Sequence, residues 1–530
     1  MRPQKKAPAR AGARNAPPAI SACLIVKNEE AHLSRCLASI KDVVDEIILV
    51  DTGSTDRTVD IAREFGARVF HFEWCDDFSA ARNESLRHAT GDWIIWIDGD
   101  DELCEAAPGA LRRLCTRRPL PEWGYWMDVR SPYGEGGDQE VTVRHWRLFE
   151  SGRGICFRGR IHEEPRPPVP ITQEQIAVQA EVRIDHWGYM PDLELLQQKS
   201  DRNRHLLELC VEEEPSNPLH HYNLGRQYNR EGNYQQGLKT LTRALELWYE
   251  KGQPNWSFAH SLFAFAAQAA LESSEFEKVL EIAAQPPDHL VSAELLCSAG
   301  VACWRLGRRE EAIPLLERAW QDPSVVKNHL HDKAKSTWHP LLILTGLYDQ
   351  TGQPEQAYAC ARRAHDFAPD HPEILLALGY LADKLGRRAE SLTWLRQQLN
   401  GQRDEGFKPQ ARRLLLHIAE REKDPVLALE ALEGEVQDIS QADRVLRRAE
   451  AHAARGNVQA QYDELDAGCK LVPANATIRL ALADFLAENR YDDEAIKVLG
   501  AGLDQPDAPP VLYSRLAQLL VTTGQLEDAA

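Results

Sequence analysis

Between Ile20 and Ile97 short apolar runs alternate with amphipathic stretches. Ile20–Val26, Glu46–Val50, Arg68–Phe70 and Trp93–Ile97 read as strands, since each is short, apolar and bounded by polar clusters. Ala31–Ile40, Thr58–Phe65 and Ser79–Ala89 read as helices. Strands alternating with helices of about ten residues predict an α/β doubly wound parallel sheet. In such sheets ligands sit outside the carboxyl ends of the strands. The polar clusters fall there. Lys27, Asn28 and Glu29 follow the first strand; Asp51, Thr52, Gly53 and Ser54 follow the second; Asp98, Gly99, Asp100 and Asp101 follow Ile97.

From about residue 191 the strand signal stops and a period near 34 begins. Counting from Pro218, Leu224 and Gly225 fall at positions 7 and 8, Tyr228 at 11, Gly232 at 15 and Ala244 at 27. The same count from Ala293 gives Gly300, Gly307, Ala312 and Ala319; from Trp338 it gives Tyr348, Gly352, Ala357, Ala364 and Pro369. From Pro372 it gives Gly379 and Gly386, and later copies begin near Pro409, Ala442, Ala476 and Pro510. This phase resembles the tetratricopeptide repeat, whose small residues at positions 8 and 20 let two antiparallel helices approach closely. The resemblance implies an all-α superhelix over residues 191–530, behind a sheet domain over 19–190. It also implies a concave surface for protein partners.

Composition narrows the class. At 530 residues the chain is too long for one core. Hydrophobic residues make up 43% and charged residues 27%, as in soluble globular proteins. No run approaches the roughly 18 apolar residues of a membrane span. Residues 1–18 hold Arg2, Lys5, Lys6, Arg10 and Arg14 without an apolar core, which predicts a disordered basic tail rather than a secretory signal. A net charge of −19 argues against a nucleic-acid binder. Eleven scattered cysteines without a Cys-x-x-Cys pair fit reduced thiols in a cytoplasm.

The strand-end clusters suggest chemistry. Asp98, Asp100 and Asp101 crowd the end of an apolar strand, and carboxylates so close repel unless a cation neutralises them. Hard oxygen ligands suit Mg²⁺ or Mn²⁺, which in turn can hold a diphosphate. The alternative is a solvated acidic loop. The chain has no Gly-x-x-x-x-Gly-Lys-Ser/Thr loop for phosphates. Gly53 permits a tight turn, and the neighbouring hydroxyls, or Asp51 itself, can cap the next helix.

Together Cys23–Glu30, Val50–Asp56, Ala81-Arg82-Asn83 and Gly91–Asp101 resemble the family-2 inverting glycosyltransferases of GT-A, Rossmann-like fold. By that resemblance Ile25, Lys27 and Asp51 line a nucleoside pocket, and Arg82 reaches the nucleotide-sugar donor or serves as a structural ion-pair residue. Asp98 and Asp100 form the metal-binding Asp-x-Asp for Mn²⁺ or Mg²⁺, with Asp100 the more direct ligand and Asp98 also facing the donor. Relatives carry a second Asp where this chain has Thr52, which leaves the nucleotide base open. His186 resembles a late histidine that completes the metal site; a core histidine is the alternative. Inverting transfer needs a base to take the acceptor's proton. Glu163 is the candidate, with Glu164 and Asp138 as rivals and an exposed ion pair as the bland reading. Lys199, Arg202 and Asn203 are expected at the interface with the helices.

The leading reading is a metal-dependent inverting transferase that moves a hexosyl or N-acetylhexosaminyl group from a nucleotide-diphosphate donor to a protein, peptide or glycan acceptor, a polypeptide being recruited by the repeats. A non-catalytic scaffold with a degenerate transferase domain is the alternative, and intact Asp51, Asp98 and Asp100 speak against it. A nucleotidyltransferase would need a basic, glycine-rich loop after the first strand, which Lys27-Asn28-Glu29 does not provide.

Overall fold

The structure, a computed structural model, describes residues 17–117, 121–133, 139–188, 193–254, 256, 258–322, 333–401, 405–504 and 508–525. Most of the basic tail and Asp138 lie outside them. By its packing the chain divides into two compact units, Met1–Glu275 and Phe276–Ala530.

The first unit opens with β1 (Ile20–Val26), α1 (Leu33–Ile40), β2 (Glu46–Asp51), α2 (Thr58–Glu64), β3 (Arg68–His71), α3 (Phe78–His88) and β4 (Trp93–Trp96). These match the elements predicted from the pattern to within about two residues. The remaining sheet elements are β5 (Asp101–Glu105), α4 (Ala110–Thr116), β6 (Tyr125–Tyr133), β7 (Gln139–Glu150), β8 (Cys156–Arg158), β9 (Glu164–Arg166) and β10 (Ala177–His186). Four helices follow: α5 (Leu193–Glu213), α6 (Pro218–Arg230), α7 (Tyr234–Glu250) and α8 (Ala259–Glu272).

The main sheet runs β3-β2-β1-β4-β7-β6-β10-β5. Its first four strands are parallel, as predicted. Beyond β4 it becomes mixed: β7 joins β4 and β6 antiparallel, β10 runs parallel to β6, and β5 pairs antiparallel with β10. The sequence pattern predicted only the parallel half. β1 sits centrally, and six of its seven residues are buried, which explains its unbroken apolar run. Ile20, Ala22, Leu24 and Val26 pack with Leu33, Leu37 and Ile40 of α1 and Ile61 of α2. Cys23 belongs to a separate cluster with Ile48, Trp96, Phe149 and Phe157. Side chains alternate across the strand, so one strand serves two cores.

In the second unit helices begin at Ala293, Trp338, Pro372, Lys408, Gln441, Ala476 and Pro510. Each start lies within one residue of a repeat start counted from sequence. Packing explains the period. A Cβ on Gly300 would lie 2.6 Å from Leu316 Cγ, and one on Gly379 would lie 2.6 Å from Leu395 Cδ2. In the first unit α6 and α7 repeat this contact: a Cβ on Gly225 would lie 2.5 Å from Leu241 Cγ. Glycine at position 8 therefore receives the leucine at position 24 of the partner helix. Alanine there would overpack at a cost of about 1–3 kcal/mol.

Candidate active site

The loops after β1 and β2 are laced together. Asn28 adopts φ 55°, its Oδ1 accepts from the Thr55 amide at 2.8 Å, and its own amide donates to Ser54 Oγ at 3.0 Å. The Glu29 amide donates to Thr58 Oγ1 at 2.8 Å, and the Arg57 amide donates to Glu30 Oε2 at 3.0 Å. Ser54 and Thr55 thus bind the neighbouring loop instead of capping α2, whose N-cap Arg57 makes no side-chain capping hydrogen bond.

Asp51 is buried, and its carboxylate accepts from the amides of Gly53 at 3.3 Å and Ser54 at 3.1 Å. His71 Nδ1 stands 3.2 Å away. Gly53 takes φ 106°, a backbone that L side chains rarely adopt. Asp51 closes its own turn and does not cap α2. Register sets Ile25 beside Val50 and Val26 beside Asp51, so half-buried Ile25, exposed Lys27 and Asp51 share one end of the sheet.

The acidic run turns sharply at Gly99 and begins β5. Antiparallel pairing sets His186 directly opposite Asp101, and the Trp187 amide donates to the Asp100 carbonyl at 3.0 Å. His186 Nδ1 lies 2.9 Å from Asp101 Oδ1 and 3.4 Å from Asp100 Oδ1. Asp101 is fully engaged: its Oδ2 accepts from the Asp98 amide at 2.9 Å and faces Arg147 Nη1 at 3.2 Å. Asp98 points elsewhere, with Oδ1 accepting from Arg82 Nη2 at 2.5 Å and Oδ2 from Arg147 Nη2 at 3.1 Å.

Among the described residues Asp100, Asp101 and His186 form the one group able to offer a metal three ligand atoms, all within 4.8 Å of one another. Asp98 is not part of it. A Cβ added at Gly188 would lie 2.2 Å from Asp100 Oδ2 and 2.9 Å from His186 Nε2. Glycine therefore lets this carboxylate oxygen and the imidazole ring approach the backbone closely. The O/N donor set of Asp100, Asp101 and His186 fits a divalent cation. The contact of His186 Nδ1 with Asp101 orients the ring, as a carboxylate does for a metal-binding histidine.

Arg82, on α3, is buried, and its Nε donates to Glu163 Oε1 at 2.6 Å. Its guanidinium lies 4.4 Å from the Trp96 ring centroid, and that of Arg147 lies 3.7 Å from the same ring. Both cations are thus held by an aromatic face and by carboxylates. Glu164, on β9, is exposed and pairs with Arg166 at 2.9 Å, away from this network. His162 is an exposed turn residue at φ 55°.

Charge is unevenly spread. Burial would raise the Asp98 carboxyl, yet Arg82 and Arg147 hold it far below the usual carboxylate range. Burial raises the Asp100 carboxyl against the pull of His186. Burial and the charge of Asp100 push Glu29 up to about 7. Burial opposes charging of His186, but its hydrogen bond to Asp101 and the charges of Asp100, Asp101 and Asp98 outweigh this and push it up to about 9. The two raised carboxyls, Asp100 and Glu29, are buried beside like charges.

Sequence reasoning placed Asp101 in the acidic cluster suited to a hard cation and Glu29 in the cluster after the first strand, but gave neither a specific ligand role, and it gave Arg147 none. Asp101 was legible only as part of an acidic run. Arg147 lies in a strand with no clear period, and its two carboxylate partners are 49 and 46 residues away in the chain.

Residues 21–116 match the family model for glycosyl transferase family 2. A TPR repeat-containing protein of Synechococcus elongatus is 32% identical over 357 residues, covering 66% of this chain and 76% of that protein. The SPbeta prophage-derived glycosyltransferase SunS of Bacillus subtilis is 32% identical over 212 residues, 40% of this chain and 49% of SunS. An uncharacterized glycosyltransferase of Rickettsia felis is 43% identical over 84 residues, 16% of this chain and 29% of that protein. The chain therefore spans about half of SunS and under a third of the Rickettsia protein. The long match to a repeat-containing relative includes the helical region, and the family model covers the strand-end clusters; the chain belongs to the family-2 glycosyltransferases that carry tetratricopeptide repeats.

Proposed function

We propose that this glycosyltransferase is metal-dependent and inverting, and that it takes its sugar from a nucleotide-diphosphate donor. The observation that carries the reading is the convergence of Asp100, Asp101 and His186, whose ligand atoms lie within 4.8 Å of one another. Asp100 and His186 would hold Mn²⁺ or Mg²⁺, with Asp101 orienting the imidazole; a ring nitrogen among carboxylates favours Mn²⁺. Such a cation would neutralise the donor's diphosphate and stabilise it on departure. Ile25, Lys27 and Asp51 receive the nucleoside, and Asp51 accepts a hydrogen bond from the base. Asp98 and Arg82 face the donor.

Glu163 takes the proton of the acceptor as its nucleophilic atom bonds to the anomeric carbon. The bond from that carbon to the diphosphate oxygen breaks on the opposite face, and its electron pair stays on the oxygen. Arg82 fixes the direction of the Glu163 carboxylate. Domain limits of 19–190 for the transferase and 191–530 for the repeats are part of this reading, as is a protein or peptide acceptor recruited by the helices. No helix among the described residues is long and apolar enough to cross a membrane, and the eleven cysteines are free, which supports a cytoplasmic setting.

A hydrolysis screen across UDP-, GDP- and dTDP-sugars, with and without Mn²⁺, tests the proposal. Metal-stimulated release of one nucleoside diphosphate is expected. Release unaffected by chelation would overturn the metal assignment, and no release from any donor would overturn the enzyme reading of this site.

A further inference from the structure

Helix α5 lies outside the segment matched by the family model, yet it contacts the site from the helical side. Arg202 lies 5.0 Å over the ring of Phe78, the first residue of α3, the helix that carries Arg82 one turn later. His205 Nε2 is 3.9 Å from Asp76 Oδ2. Arg160 donates to the Asp76 carbonyl at 2.9 Å and pairs with Glu213 near the end of α5. These contacts run α5 along the loop that leads into α3. Lys199 stands three residues before Arg202 and so shares its helix face.

Most cations of the site are already committed. Arg82 serves Asp98 and Glu163, Arg147 serves Asp98 and Asp101, and His186 serves Asp100 and Asp101. Lys199 differs. Among the described residues no carboxylate oxygen lies within 4.0 Å of its ammonium, although it is half-buried and within electrostatic reach of Glu29, Asp100 and His32. Arg202 likewise has no carboxylate partner within that distance; its guanidinium donates to Asn203 Oδ1 at 3.1 Å. Two cations on one helix face, neither paired with a carboxylate, thus border a carboxylate cluster.

We propose that Lys199, assisted by Arg202, binds the diphosphate of the donor, so that the first helix of the repeat region completes the nucleotide site. The inference rests on the transferase reading above. A nucleoside diphosphate carries about three negative charges near neutral pH, and one divalent cation shared with Asp100 leaves most of that charge uncompensated. A lysine is suited to this as a compact charge on a flexible stem, able to follow the terminal phosphate as the sugar leaves. Binding at Lys199 also couples occupancy of the donor site to the position of α5.

Calorimetry on the full chain tests the assignment, using UDP, GDP and dTDP and their monophosphates in excess Mn²⁺. Lys199→Met should weaken the diphosphate that wild type binds by about tenfold or more, the scale of a lost hydrogen bond to a charged group, while the matching monophosphate changes by less than about threefold. Lys199→Arg should restore part of the difference, and Arg202→Met should show a smaller loss of the same kind. Mn²⁺ affinity without nucleotide should stay level or rise in Lys199→Met, because a positive charge near the carboxylates has been removed. Equal weakening of mono- and diphosphate, or unchanged diphosphate affinity, would overturn the role of Lys199 while leaving the transferase reading standing. Wild type that binds none of the diphosphates would overturn both.

Discussion

Arg82 Nε donates to Glu163 Oε1 at 2.6 Å, joining residues 81 apart in the chain, and the same guanidinium reaches Asp98 Oδ1 at 2.5 Å. The contact ties the candidate base to Asp98 through one buried cation. Arg82→Met removes that cation from two carboxylates at once. It should cost about 3–5 kcal/mol in a denaturant melt, the range for breaking a buried ion pair. Glu163→Gln still accepts the Nε–H and should fold normally. Its transfer rate should fall by about 10²–10⁴, the usual worth of general base catalysis, with donor affinity retained. A loss confined to KM would move the base elsewhere.

The proposed metal site makes a steric prediction. Gly188→Ala places a methyl group 2.2 Å from the present position of Asp100 Oδ2. Mn²⁺ affinity, read by calorimetry, should drop by about tenfold or more, as in changes beside a metal ligand. Asp100→Asn should abolish turnover with the fold intact by circular dichroism. Equal Mn²⁺ affinity in both variants would remove Asp100 from the metal site.

Proton competition should be visible at the same place. His186 is raised from the ordinary 6.5 to about 9, so its protonated form stabilises the metal-free protein fully below about pH 6.5, and this is lost as pH rises through 9. A metal needs the neutral imidazole. Mn²⁺ affinity should therefore climb between pH 7 and 9 by up to about tenfold per unit, with release of one proton. His186→Gln should flatten the climb, measured by calorimetry in buffers of different ionisation enthalpy. A flat wild-type profile would exclude His186 as the ligand.

Asp51 accepts from two amides of its own turn, at 3.1 and 3.3 Å, which leaves it aimed by the loop. Asp51→Asn should weaken nucleotide binding by about tenfold through loss of a charged acceptor. If affinity is equal while Tm falls, Asp51 is a turn residue only.

Distal helices have their own core. Val445, Leu465, Ile478, Leu482 and Leu499 form a cluster separate from that of Leu415, Leu427 and Leu432. Removing Ala442–Ala530 should leave a folded chain, since repeats contact mainly their neighbours. Donor hydrolysis should persist while transfer to a polypeptide acceptor falls. Loss of hydrolysis as well would make these helices structural support.

The sequence by itself determined the local elements and their phase. β1 through β4 and the repeat helices were legible because burial imposes a period, two or unbroken for strands and about 34 for helix pairs packed glycine against leucine. The strand-end clusters were legible for the same reason, since the sheet dictates where its loops stand. Tertiary structure decided which of those side chains meet. β5 is Asp101–Glu105, too polar to read as a strand, yet its pairing with β10 is what seats His186 on Asp101. Asp98 and Asp100 are near neighbours in sequence but face different partners, because Arg82 and Arg147 arrive from α3 and β7 and capture only the first. Which carboxylate meets which cation depends on contacts across 16 to 85 residues of chain. Local periodicity reports burial within an element and carries no record of which distant charge will neutralise which.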